Sequence, residues 1–204
     1  MISFQPIPAP QCLNDLAAVT PMPGFDAPGA HDCLKRVLRP ALLSNQGHQC
    51  AYCESPIVDN GDSCHLAHIA SQTNDSKRRF DVTNLMAACQ CGYTCGHGHG
   101  KLSVPDELNP YSAQKLHQRF HCAGDGKLSA CNLSPDAEAF AFGLVNLNAP
   151  GLKTHRRGII LGLMTQTNSL GTNARKRLRN LSTSDRGFRS LHYQELGKFG
   201  FPEP

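Results

Sequence analysis

Leu34, Val37, Leu38 and Leu42 recur at helical spacing through HDCLKRVLRPALLSNQG, residues 31–47. That period predicts a helix, which Pro40 should kink or end and Gly47 should close. Ahead of it, residues 1–29 carry PIPAP and TPMPGFDAPG, and such proline density is expected to run extended over the surface. CHLAHIASQ, residues 64–72, alternates apolar and other positions before turning polar, the pattern of a strand. Asn84 opens NLMAAC, which reads as a short helix or turn. RFHCAGDGKLSA predicts two short strands about Gly124-Asp125-Gly126, a hairpin signal. SPDAEAFAFGLVNLN predicts a helix with Ser134 as N-cap and Pro135 at its first position. Further helices are expected over 152–168, 173–181 and 185–197, separated by NSLGTN and STSD. Strands and helices do not alternate as βαβ units, so the expected class is α+β.

The chain has 204 residues, enough to bury a core without covalent staples. Its ten cysteines are therefore not needed to compensate for a small interior. The opening MISFQPIPAPQCLNDL lacks a basic start followed by an apolar run, so no secretory leader is expected. No stretch approaches the ~20 apolar residues of a membrane span. These features predict a cytoplasmic protein with no membrane partner, whose thiols stay reduced. Clustered cysteines then read as metal ligands or redox groups before disulfides. Cys12, Cys33 and Cys64 carry no spacing signal, and Cys122 and Cys131 are expected as small apolar residues.

Two stretches concentrate the chemistry: HQCAYCESPIVDN at 48–60 and NLMAACQCGYTCGHGHGKL at 84–102. Cys50 and Cys53, three positions apart, can chelate one zinc ion from a tight turn, and two of Cys89, Cys91 and Cys95 would complete a tetrahedron. Four thiolates leave no open position, so such a zinc holds the fold and performs no reaction. A redox role for the Cys50-Cys53 pair is disfavoured, because the strand-to-helix layer of such proteins is missing.

Charge is uneven. Residues 1–150 carry 10 Lys/Arg against 13 Asp/Glu, and residues 151–204 carry 10 against 3, for a total of +4. Such asymmetry suits a C-terminal region lying against a polyanion, or a solvated basic helix face. The clusters are KTHRR at 153–157 and RKRLR at 175–179; Arg156, Arg157, Arg175 and Arg177 are the candidate phosphate contacts. With no tryptophan and four tyrosines, stacking on a single strand is poorly provided for, and duplex backbone contact is favoured.

The order Cys-x-x-Cys, His68, Asn84, Cys, Cys, His is the layout of an HNH nuclease. Together CAYCE, HIAS, NLMAACQCGYTCGHGHGK, FHCAGDGKLS and LVNLNAPGLKTHRRG resemble the HNH nucleases of retron and Septu antiphage systems, over about residues 45–165. The resemblance implies a zinc-stabilised ββα-metal core, treble-clef-like, with flanking helices. Residues 48–104 would form that core, 1–47 a proline-rich segment and lead helix, and 105–204 a hairpin and basic helical region packed on it as one domain. The family offset from Asn84 to Cys89 favours Cys89 and Cys95 as the second zinc pair, with Cys91 as substitute.

The same resemblance implies His68 as general base, Asn84 bracing the hairpin loop, and His97 or His99 on a catalytic Mg²⁺ or Mn²⁺. A histidine near neutral pKa suits removal of a proton from water, and a divalent cation suits charge stabilisation at phosphate. Lys101 reads either as a phosphate contact or as the solvated side of a helix. The acid that usually precedes the base is Ala67 here, which leaves Asp62, Asp81, His65 or Glu54 to complete the metal shell. The implied partners are nucleic acid (DNA favoured, RNA or transfer RNA also open), an SMC/ABC-type ATPase, and a retron reverse transcriptase with its DNA. The basic C-terminal helices could equally serve as the ATPase-facing surface. The rival expectation, favoured by Ala67, is a non-catalytic zinc-stabilised module that binds nucleic acid or a partner.

Overall fold

The structure is a computed structural model that describes residues 1, 3–92, 94–169 and 188–198. Helix is the commoner element, and the sheets are two separate antiparallel hairpins. The expected helices over 173–181, with Arg175 and Arg177, lie outside the described residues.

The segment expected to be extended contains a helix, α1 (Gln11–Ala18). Pro10 stands directly before its first residue and costs the helix no hydrogen bond there. Leu13 turns into the core. The lead helix begins as α2 (Pro28–Asp32), passes through a π-helical stretch at Cys33–Leu38 and continues as α3 (Arg39–Asn45). Pro40 therefore neither ends nor interrupts it: the wide turn precedes the proline, which occupies the first turn of α3, where its missing N–H is tolerated. Leu34, Leu38 and Leu42 are buried, whereas Val37 faces solvent at 46% exposure, off the predicted face. Gly47, at φ +64°, closes the helix as expected. Cys12 of α1 and Cys33 form a disulfide, so the expectation of uniformly reduced thiols does not hold for this pair.

β1 (Cys64–His68) pairs antiparallel with β2 (Leu85–Cys89), Cys64 opposite Cys89 and His68 opposite Leu85. A short helix, α4 (Cys95–Gly98), follows. β2 corrects the reading of NLMAAC as a helix or turn. All five of its positions are buried, and burial on both faces removes the alternation that marks a strand. The buried Gln46 covers one edge of β2: its amide accepts from Ala87 N–H at 2.8 Å and donates to Ala87 O at 2.8 Å and Gln49 O at 3.0 Å. The side chain thus satisfies backbone groups that a third strand would otherwise take.

β3 (Phe120–Cys122) and β4 (Leu128–Ala130) form the second hairpin around the expected glycine turn. Cys122 faces Leu128 across it, not Cys131. α5 (Pro135–Ala139) has Ser134 as its cap, with the Ser134 side chain accepting from Ala137 N–H, as the sequence predicts. α6 (Pro150–Ser169) and α7 (Arg189–Gly197) are the last two elements among the described residues. At Gly126, φ +83°, an added Cβ would stand 2.0 Å from Lys153 O; only glycine lets α6 seat on this turn. One hydrophobic core draws on Leu13, Leu38 and Leu42, on β2, and on Leu116, Phe140 and Leu147. No helix of the described residues is long and apolar enough to cross a membrane.

Candidate functional site

Four sulfurs meet between the 50–53 turn, the end of β2 and the start of α4. The turn is tight because Cys50 N–H donates to Ser55 O and Glu54 N–H to Cys50 O, both at 2.9 Å, with Glu54 in the left-handed region at φ +63°. Ala51 N–H donates to Ala87 O at 3.1 Å, which ties the turn to β2. Cys89 ends β2, and Cys95 opens α4 with its N–H on Val145 O at 2.9 Å. The ligand atoms of Cys50, Cys53, Cys89 and Cys95 lie within 4.8 Å of one another, and all four residues are buried. Cys53 Sγ and Cys89 Sγ are 3.9 Å apart, close to the ~3.8 Å edge of a tetrahedron with ~2.3 Å zinc–sulfur bonds. Hydrogen bonds from Cys50, Cys89 and Cys95 hold the Cys53 thiol well below its ordinary range. Contact with Cys50 and Cys53 pushes Cys89 and Cys95 up. Four buried thiols thus share negative charge poorly among themselves, and the donor set fits a thiophilic divalent ion such as zinc. Cys91 is exposed and outside this group.

Beside the sulfur cluster, between β1 and α4, lies an open cleft of about 430 Å³. His65, His68, His97, His99 and Lys101 all line it. His68, the last residue of β1, packs edge-on against Phe25 with ring centroids 4.6 Å apart. Its Nε2–H donates to Arg79 O at 3.0 Å, so the acceptor lone pair of the neutral ring sits on Nδ1. Burial, and then the nearby Arg79 guanidinium, depress its pKa.

Asn84 is fully buried and spends its side chain on the loop that leaves β1. Oδ1 accepts from Ala70 N–H at 2.6 Å, and Nδ2 donates to Ala70 O at 3.2 Å and Arg78 O at 2.9 Å. It fastens the two ends of the 70–78 segment and does not itself line the cleft.

The two histidines that sequence spacing left equivalent differ. His99 is buried and occupied at both nitrogens: Tyr52 O–H donates to Nε2 at 2.7 Å, and Nδ1–H donates to Leu102 O at 2.8 Å. His97 is exposed, and its Nε2–H donates to Gln90 Oε1 at 2.7 Å. Of the four groups considered for the shell left open by Ala67, His65 alone lines the cleft. Asp81 caps the turn at Val82–Asn84 and pairs with Arg78 at 2.9 Å. Glu54 is buried against the Met1 amine and accepts from Ser190 N–H at 2.7 Å and Ser190 O–H at 2.6 Å. Asp62 is exposed outside the cleft.

Lys101 is exposed on the cleft, and Arg157 is exposed on α6. Arg156, expected at phosphate, is instead 3% exposed. It donates to Gly126 O at 2.8 Å and to Leu147 O, binding α6 to the second hairpin. Tyr52, which joins the sulfur turn to the cleft wall, escaped sequence reasoning; its position between the paired cysteines was the available signal. No family model matches the chain, and no curated protein is similar enough in sequence to stand as a relative.

Proposed function

We propose that the protein is a metal-dependent endonuclease of the HNH type, acting on nucleic acid with DNA favoured, and that it carries a structural zinc on Cys50, Cys53, Cys89 and Cys95. The observation that carries this reading is the placement of His68. It ends β1 at a cleft, holds its Nε2–H on a backbone carbonyl and keeps Nδ1 as acceptor, with His97 in the same cleft. A neutral imidazole fixed in that tautomer is suited to take a proton from an attacking water. Asn84 supports the assignment as a positioning residue, since it fastens the loop that supplies the Arg79 carbonyl. A divalent cation in the cleft would supply charge stabilisation at the phosphate. His97 is the better placed of the two candidate ligands, because His99 would first have to release Tyr52. Lys101 and Arg157 are exposed and suited to phosphate contact.

The test is cleavage of plasmid DNA and of RNA in divalent metal, by the protein alone and with an SMC-type ATPase partner. His68→Ala should abolish cutting while zinc content stays at one ion per chain. Equal cleavage by His68→Ala would remove this residue from the mechanism. One observation favours a second reading, a zinc-stabilised binding module without activity: among the described residues that line the cleft, none is acidic. Binding of nucleic acid by the wild type, with no cutting in any divalent metal, would support that reading.

A further inference from the structure

VTPMPGFDAPG, residues 19–29, carries the chain from α1 into α2. Pro21 and Pro23 supply no backbone N–H, so this stretch is poorly equipped to hold itself in place by a ladder or a helix. Its position is set by what it touches. Phe25 lies edge-on to His68, with ring centroids 4.6 Å apart, and stacks on the buried Phe80 at 5.8 Å. Arg79 Nη1 donates to Pro23 O at 2.7 Å, while Arg79 O accepts the His68 Nε2–H at 3.0 Å. One residue thus fastens both the stretch and the imidazole. Phe25 does not line the histidine cleft, so it supports the His68 ring without obstructing that cleft.

A covalent bond joins the chain on either side of this stretch. Cys12 of α1 and Cys33, 21 positions apart, form a disulfide. It closes residues 13–32 into a loop, and a closed loop has less conformational freedom to lose when it settles on a surface. Cys33 is 6% exposed, whereas Cys12 is half-buried, so an external thiolate reaches the Cys12 sulfur first. In reducing compartments, disulfides are mostly transient or redox-sensing.

We propose that residues 13–32 form a strap, closed by the Cys12–Cys33 bond, which positions His68 through Phe25 and Arg79, and that a dithiol reductant releases it. In the releasing step a thiolate of the dithiol attacks Cys12 Sγ, the Cys12–Cys33 bond breaks, and Cys33 leaves as a thiolate that takes up a proton. The second thiol of the reductant then displaces Cys12 from the mixed disulfide. The protein gains two electrons and two protons, and the dithiol ends as its own disulfide. Phe25 is a positioning residue in this scheme: the oxidised form holds the ring still and the reduced form leaves it loose. The consequence for cutting rests on the nuclease reading, whereas the strap is defined by its own contacts.

The experiment is histidine labelling by diethyl pyrocarbonate, read by mass spectrometry, on the zinc-loaded full chain purified without reductant and again after dithiothreitol. Peptide mapping of the first form should show the Cys12–Cys33 link. Reduction should speed His68 labelling by at least about fivefold, as a modest loss of local stability does. His121, exposed on β3, should label equally in both forms. Cys12→Ser should label as fast as reduced wild type and no longer respond to dithiothreitol, which separates the strap from the thiols of the four-sulfur cluster. Phe25→Ala, with the link intact, should label as fast, and reduction should add nothing to it. Zinc content and far-ultraviolet circular dichroism establish that each form is folded. On the nuclease reading, reduction and Phe25→Ala should each lower kcat with KM unchanged. Equal His68 labelling in the two forms, or no Cys12–Cys33 link without reductant, would overturn the strap. So would a cutting protein with the same kcat oxidised and reduced. Labelling that follows the disulfide in a protein that cuts nothing would keep the strap and remove the nuclease. Cutting by a protein whose His68 labels equally in both forms would do the reverse.

Discussion

His68 and His65 sit three residues apart on one strand yet do different things, and the difference is set by what each ring touches. His68 leans on Phe25 and gives its Nε2–H to Arg79 O. His65 turns toward α4 and lies against His97, ring centroids 4.2 Å apart and planes tilted by 39°. Burial, followed by His97, pushes His65 down to about 4. For His68 burial acts in the same direction, followed by Arg79, while the Arg79 carbonyl partly opposes it. A depressed histidine stays neutral to lower pH than the ordinary ~6.5. A base of this kind is competent above its folded pKa and lost as pH falls through it. If His68 is the base of a nuclease, the acid limb of kcat/KM should therefore have its midpoint below the ordinary ~6.5. An acid limb centred above 7 would contradict His68 as the base. The sequence named this residue through a motif; the tautomer came only from the Arg79 carbonyl, eleven residues away, which no spacing rule reaches.

At the scale of elements, the 50–53 turn, β2 and α4 each deliver their cysteines to one point, and if the four sulfurs hold zinc the cost of losing one is set by the ion. Structural zinc binds with an apparent ~10–16 kcal/mol, comparable to the ~5–15 kcal/mol net stability of a whole domain. Cys50→Ser should lose the metal and most of its cooperative unfolding transition, whereas Cys91→Ser should keep both; metal analysis with thermal circular dichroism separates them. Retention of zinc by Cys50→Ser would disprove the four-sulfur assignment. Elements with local chemistry were legible in the sequence: the Gly124-Asp125-Gly126 turn, the Ser134-Pro135 helix start and the Gly47 stop. α1 was hidden because prolines flank a helix as readily as they break one. β2 was hidden because Leu-Met-Ala-Ala-Cys lacks both β-branched residues and alternation, its strand state being imposed by β1 on one edge and Gln46 on the other. Consecutive arginines on α6 point about 100° apart, so KTHRR could not reveal that Arg156 turns inward while Arg157 stays in water.

Across the whole molecule, that inward turn separates stability from binding. Arg156→Ala would leave the Gly126 and Leu147 carbonyls without their charged donor and should cost roughly 2–4 kcal/mol in denaturant unfolding. Arg157→Ala should change stability by no more than about 0.5 kcal/mol. If Arg157 and Lys101 each meet one phosphate, replacing either should lower the slope of log affinity against log salt by about 1. An unchanged slope in both variants would place the polyanion elsewhere. Distant parts are also joined through one phenol. Tyr52 sits inside the loop bounded by Cys50 and Cys53, and its hydroxyl reaches across to His99 in the cleft wall. If these sulfurs hold an ion, stripping it would therefore slacken the very lever that keeps this imidazole still. On the nuclease reading, a chelator added to quench cutting would act at two addresses, and only replenishing each ion in turn would tell a missing reagent from a sagging wall.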